Sequence, residues 1–282
     1  MLDQFSVRDL RQWARYRDDV LDFHWNFYTA LLDQRSKVRR AITEAVLKAS
    51  TGPVEFPRWH RVVPYEFSLE PLSAVGSIRS ANGGRFNMGG VDPVKFPEFP
   101  ALYLASDRET ALAEKFGMPS KDEEQLTALD LALRTESSIS MVIVRGHLES
   151  VVDLRERGRL QSLVEIISGF KIPDELYRRA RQIGLPSPTI VRTVDELITV
   201  LVAANWREFP AVFDVPATPQ IFGQEIRSAG IEAILYSSSK TDALCAAIFP
   251  DNLGPESFVE LVDAPPPGAM PRLDATTWRD LV

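Results

Sequence analysis

The passage from Gly83 to Phe116 constrains this chain more than any other, because it sets a turn, a strand and a helix in succession and puts an arginine and a carboxylate on them. Gly83 and Gly84 let the backbone approach a ligand closely, and Arg85 behind them carries a planar fork of donors suited to a phosphate. After a proline-rich spacer, Ala101–Ala105 reads as a short buried strand. Ser106 or Asp107 then caps a helix, and Glu114 stands roughly two turns into it, among Ala111, Leu112, Ala113 and Phe116. An unpaired carboxylate in such apolar company is costly, so the pattern predicts a positive partner. Singly, a Gly-Gly-Arg turn is often only a turn and a helical glutamate is often only solvated. Their conjunction in one frame favours an anion-holding loop beside a fixed acid.

The remainder of the chain is organised around that frame. From Leu2 to about Ser50 apolar residues recur at helical spacing (Leu10, Trp13, Val20, Phe27, Leu31), and a second helix runs from about Ser36 to Ala49, which together predict an N-terminal helical hairpin over 1–52. Such a hairpin packs on its own domain, builds a dimer or recognises a partner. Thr51-Gly52-Pro53 breaks the pattern, and the segment to Pro57 reads as a linker. Beyond it, strands are expected at Arg61–Val63, Leu102–Ala105, Ser140–Val144, Ala211–Asp214, Ala233–Tyr236 and Ala246–Phe249. Helices are expected at Arg108–Phe116, Asp174–Ile183 and Thr193–Arg207, with Gln161–Gly184 as a helical insertion over one face. The fold class is therefore α+β, with a main domain over 58–260. The run Ala264-Pro265-Pro266-Pro267-Gly268 marks 261–282 as a proline-rich C-terminal tail.

Four segments, in order along the chain, resemble the RES-domain family, named for an arginine, a glutamate and a serine and best known for bacterial toxins that consume NAD. Trp59-His60-Arg61-Val62 is similar to the family's aromatic-Arg-Val strand, and Gly83–Asn87 to its Gly-Gly-Arg-aromatic-Asn loop. Ala101–Glu114 is similar to the strand and helix bearing the glutamate, and Ile234–Lys240 to its Tyr-Pro-Ser-x-Arg segment. The likeness runs from about Arg61 to Phe249 and is weak between Gly117 and Gln220. The chain departs from the pattern where His60 replaces an aromatic, Ser237 the proline and Lys240 the arginine, and where Thr241–Cys245 replaces a Gly-Asn pair. Three consecutive serines leave the functional one open, with register favouring Ser238 and then Ser237.

The resemblance implies an ADP-ribosyltransferase-like split β-sheet core with flanking helices, and a substrate, NAD, whose nicotinamide is already a cationic leaving group. Breaking its bond to ribose develops oxocarbenium character, as in glycoside cleavage, and calls for negative charge nearby. By resemblance Arg61 and Arg85 grip the pyrophosphate, with Gly84 giving the close approach. Glu114 accepts from the ribose hydroxyls and steadies the developing charge. Tyr103 stacks on the nicotinamide or bonds to the pyrophosphate, Ser238 or Ser237 positions the ribose, amide or nucleophile, and Asn87 supports the loop. The acceptor is water, inorganic phosphate as co-substrate, or a protein side chain, making the enzyme an NAD glycohydrolase, an NAD phosphorylase or an ADP-ribosyltransferase. A cognate antitoxin and a homodimer are the implied partners. The contrasting class is a non-catalytic interaction protein that keeps the pocket only as structure.

Composition bounds these readings. The 282 residues are 45% hydrophobic, enough for a proper core, and the formal net charge of −7 argues against nucleic acid as the main partner. A few local arginines still suffice for a small anion. One cysteine precludes an intramolecular disulfide and fits a reducing cytoplasm, the first residues hold no signal-length apolar run, and no stretch has membrane-spanning length. No Cys-x-x-Cys, His-Glu-x-x-His, Gly-x-Gly-x-x-Gly or Walker sequence occurs, so neither a metal nor a prosthetic group is expected.

Overall fold

One eight-stranded sheet organises the protein. The computed structural model describes residues 7–92, 94–116, 139–265 and 267–282, with side chains described from residue 14 onward. The strands are β1 (Val54–Pro64), β2 (Leu102–Ala105), β3 (Ile139–Leu148), β4 (Val151–Asp153), β5 (Ala233–Ser237), β6 (Leu244–Ile248), β7 (Phe258–Leu261) and β8 (Arg272–Asp274). Their order is β4-β5-β6-β2-β1-β3-β7-β8. Every pairing is antiparallel except β4 with β5. The two halves meet at β1 and β2, where His60 opposite Ala105 is the one registered pair. That seam sits inside a continuous sheet, and the side chains flanking it line the cavity described below.

The period of two along each strand sends alternate residues to opposite faces. Ile234 and Tyr236, Cys245 and Ala247, and Ala101 and Ala105 join a helical layer, whereas Leu235, Ala246, Ile248, Leu102 and Leu104 join Phe56, Trp59, Val144 and Val259 in a second core shared by both halves of the sheet. Pro57, which has no N–H to donate, lies where the register between β1 and β3 shifts, between Phe56 and Trp59.

Helix α1 (Val7–Lys37) and helix α2 (Arg39–Ala49) share a single linking residue, Val38, and α3 (Val75–Arg79) and α4 (Arg108–Phe116) lie before and after β2 in the chain. Both α1 and α2 pack on the main domain, and Tyr28 of α1 joins the cluster that α2 enters. Helix α2 buries Ile42, Ala45, Val46 and Ala49 in the helical layer of the main core, whereas Phe23 of α1 packs with Ile172, Leu176 and Ala180 of the insertion. Leu10 and Trp13 of the expected stripe have side chains outside the described residues. The insertion itself forms as two helices, α5 (Gln161–Ser168) and α6 (Asp174–Gln182), and Arg179 reaches across to pair with Asp19 of α1 at 2.5 Å.

Other expectations are corrected by the structure. The presumed linker before Pro57 is already strand from Val54, because Val54 to Pro64 pairs with β3 along nearly its whole length. The presumed tail over 261–282 is built in: β8 pairs with β7, Leu273 and Leu281 are buried, and the Leu281 carbonyl accepts from Ser73 Oγ at 2.8 Å. Pro266 of that segment lies outside the described residues. Ala211–Asp214 belongs to a helix, Glu208–Phe213, which closes on Asp214 in a left-handed conformation (φ 50°). Its β-branched and aromatic residues mimic a strand, but Glu208 and Pro210 in the first turn are helix-start residues.

One contact of α1 is sensitive to pH. His24 stacks on Phe213 with ring centres 3.9 Å apart and meets Phe209 and Phe23 edge-on at 5.6 and 5.3 Å. Burial lowers its pKa below the ordinary histidine value of about 6.5. The unfolded chain therefore takes up this proton first, and stability present at neutral pH falls as pH drops below about 6.5. Thermal unfolding of His24→Phe between pH 7.5 and 5.5 is expected to lose less stability than the parent; equal losses would refute a contribution from this ring.

Candidate functional site

Helix α4 (Arg108–Phe116) starts where predicted because Asp107 caps it, accepting from the Thr110 N–H at 2.8 Å and from Thr110 Oγ1 at 2.8 Å. From its second turn Glu114 faces the turn that follows β5. Ser238 Oγ donates to Glu114 Oε1 at 2.5 Å, and Lys240 Nζ lies 4.0 Å from Oε2. Lys240 also donates to the carbonyls of Ala113 at 2.7 Å and Glu114 at 3.3 Å, at the carboxyl end of α4 where a cation is favoured. Burial lowers the Lys240 pKa against the upward pull of Glu114. The positive partner expected for Glu114 is therefore Lys240, the residue standing where the resemblance has arginine. Ser238 is the serine in contact with the acid. Ser237 pairs with Leu244 in the sheet.

The glycine loop is held by a dense set of buried bonds. Asn87, fully buried, accepts at Oδ1 from the Gly84 N–H and from Tyr103 Oη, both at 2.9 Å. Its amide donates to the carbonyls of Ser77 (3.1 Å), Phe99 (3.0 Å) and Met88 (3.4 Å). Tyr103 Oη accepts in turn from the Phe86 N–H at 2.9 Å. Gly83 adopts a φ of 66°, and a Cβ on Gly84 would run into Asn87 and Tyr103, so both glycines are required by the turn. From helix Thr218–Ser228, the buried Gln220 donates to the carbonyls of Asn82, Gly84 and Asn87 at 2.6, 3.2 and 3.1 Å. With its hydroxyl so engaged, Tyr103 offers its ring to the cavity.

The two arginines are anchored as well as charged. Arg61 donates from Nε to the Pro71 carbonyl (2.7 Å) and from its terminal nitrogens to those of Ser73 (2.7 Å) and Tyr103 (3.1 Å). Burial of the guanidinium lowers its pKa to about 10. Arg85, itself buried, places one terminal nitrogen on the carbonyls of Leu201 (3.1 Å) and Ala203 (2.8 Å), which end helix Val194–Val202. The sequence pattern predicts that this helix continues to Arg207. Instead the chain turns over 203–207 and delivers Trp206 and Arg207 to the site, with Arg207 4.6 Å and Arg85 5.9 Å from the Trp206 ring.

These elements enclose a cavity of about 290 Å³ at the seam between β1 and β2. Arg61, Gly84, Arg85, Tyr103 and Glu114 line it together, whereas Asn87, Ser237 and Ser238 stand behind its wall and Ser239 reaches it. Sequence reasoning missed Lys115, Trp206 and Arg207 and gave Lys240 only a marginal part. Trp206-Arg207, an aromatic-arginine pair just past an apolar helix, was the signal available for two of them. Among the described lining residues five are cations, Arg61, Arg85, Lys115, Arg207 and Lys240, and Glu114 is the one carboxylate. In a chain of net charge −7 this is a concentrated positive wall around a single acid. Cys245 borders the same space, but burial pushes its thiol up to about 12, away from nucleophilic use.

A family model described as RES domain matches residues 58–266. The chain belongs to the RES-domain family. No curated protein matches it. Among solved structures, this RES domain is similar to the M. tuberculosis MbcT-MbcA toxin-antitoxin complex, with a TM-score of 0.43 and 13% identity over 86% of this chain and 96% of that one. The matched span holds every residue of the cavity wall and leaves helix α1 and helix α2 outside it. Among the described residues of this RES domain, no helix is long and apolar enough to cross a membrane.

Proposed function

We propose that this RES domain degrades NAD by breaking the nicotinamide–ribose bond, as a glycohydrolase or a phosphorylase, and that it is the toxin of a toxin–antitoxin pair. The observation that carries the reading is one carboxylate set beside five cations in a cavity wall whose other described residues are mostly neutral. A dinucleotide with a diphosphate at its centre and a cationic ring at one end needs that combination.

In this reading the nicotinamide ribose lies against Glu114 and the nicotinamide ring against Tyr103. Ser238 holds Oε1 and so presents Oε2 to the ribose hydroxyls. As the C1′–N bond breaks, its electron pair passes to the ring nitrogen, which leaves as neutral nicotinamide. The ribosyl carbon becomes positive and is steadied by the carboxylate, more strongly as bound substrate displaces water from the cavity. Attack by water gives ADP-ribose and a released proton; attack by a phosphate oxygen gives ADP-ribose phosphate. Arg61 and Arg85 shape the wall and supply positive potential for the diphosphate. NAD is the substrate throughout, and a cognate antitoxin and a second copy of the chain are its proposed partners by family membership.

Purified protein incubated with NAD is expected to release one nicotinamide per NAD lost. The sugar product separates hydrolysis from phosphorolysis when phosphate is added or withheld. Unchanged NAD in the presence of folded protein would overturn the enzymatic reading. Expression of the chain alone is expected to slow growth and deplete cellular NAD.

A further inference from the structure

The diphosphate contact must come from cations whose donors are still available. All three nitrogens of Arg61 donate to main-chain carbonyls, and Arg85 uses one terminal nitrogen on two more. Lys240 is held by two carbonyls and stands beside Glu114. Besides the free Nε and second terminal nitrogen of Arg85, two lining cations make no hydrogen bond among the described residues, Lys115 in the last turn of α4 and Arg207 in the turn after Trp206. Among the described residues Arg207 lies against the face of the Trp206 ring, and Lys115 feels the carboxylate of Glu66 without forming an ion pair with it. They are also close enough to repel: burial lowers the Lys115 pKa first, Arg61 and Arg207 lower it further, and Glu66 offsets this only in part. Cations that outnumber the carboxylates beside them are unfavourable together and are relieved when an anion enters.

We infer that Lys115 and Arg207 form the diphosphate subsite of this cavity, contacting the bridging phosphates of a dinucleotide whose ribosyl end reaches Glu114. Lys115 follows Glu114 directly in the chain, so the helix that carries the acid also carries an anion anchor one residue away. Arg207 faces it from the turn whose path is set by Arg85 on the Leu201 and Ala203 carbonyls. Arg85 thus acts as a positioning residue for Arg207, and Trp206 holds the guanidinium plane.

The inference rests on the dinucleotide reading of the cavity, and its test uses binding alone. ADP-ribose and inorganic pyrophosphate are titrated calorimetrically against the full-length protein, Lys115→Ala, Arg207→Ala and the double variant, with nicotinamide riboside, which lacks phosphate, as the control ligand. Both substituted side chains are exposed, so the variants should fold. Each single change is expected to weaken ADP-ribose by about tenfold and the double change by about a hundredfold, with riboside affinity unaltered. Full ADP-ribose affinity in the double variant would overturn the subsite, as would an equal loss for the riboside or a parent protein that binds neither phosphate ligand. A parent protein that binds ADP-ribose through these residues yet leaves NAD intact would refute cleavage and leave the subsite standing.

Discussion

Glu114→Gln is expected to lower NAD cleavage by about a hundredfold to a thousandfold while leaving the fold intact. Glutamine keeps the shape and, through its carbonyl oxygen, still accepts the hydrogen bond from Ser238 Oγ that the carboxylate accepts at 2.5 Å. What it removes is the charge. In a wall of five cations that charge is the one feature able to stabilise a positive ribosyl centre. The loss should therefore appear in kcat, with ADP-ribose binding retained, since the carboxylate is tied to the reacting carbon and not to the diphosphate. Nicotinamide release measured alongside thermal unfolding separates the two effects. A Glu114→Gln protein with parental turnover would remove the chemistry proposed for this residue.

Asn87→Ala is expected to cost about 3–5 kcal/mol of stability, a larger loss than any substitution at the cavity mouth. The side chain is fully buried and joins the Gly84 N–H, Tyr103 Oη and three carbonyls. Alanine leaves those groups without partners in a space closed to water. Because Tyr103 and the glycine loop are released together, ligand affinity should fall in step with stability. Chemical denaturation of the parent and variant reads the first, and ADP-ribose titration at a temperature where both are folded reads the second. A stability change below about 1 kcal/mol would mean that the loop is held by Gln220 and its neighbours and not by this amide.

The turn, strand and helix from Gly83 to Phe116 were legible because each rests on short-range signals: paired glycines, an apolar run of strand length and an Asp107 cap. Strand β2 and helix α4 begin and end where those signals put them. The company of Glu114 was legible in kind, since burial of a carboxylate demands compensation, but its identity as Lys240 with Ser238 depends on two segments that meet far apart in the chain. The anchoring of Arg61 and Arg85 was not legible, because their partners are main-chain carbonyls, which every residue possesses and no composition marks. Gln220 was invisible for the same reason: its three bonds go to backbone more than 130 residues earlier. Trp206 and Arg207 were hidden by a helical pattern that continues past the point where Arg85 caps the real helix. Strands β7 and β8, at one end of the sheet, are too short to leave a periodic trace, so the closing segment read as a tail.

The central claim is that one cavity at the β1–β2 seam seats a single dinucleotide with its reacting carbon at residue 114. It is tested most directly by a crystal structure of the Glu114→Gln protein with NAD. The account predicts the nicotinamide ribose against Gln at position 114, the ring on Tyr103 and the diphosphate between Lys115 and Arg207. NAD seated at another surface, or seated here with its diphosphate at residue 114 and its nicotinamide ribose turned outward, would contradict it.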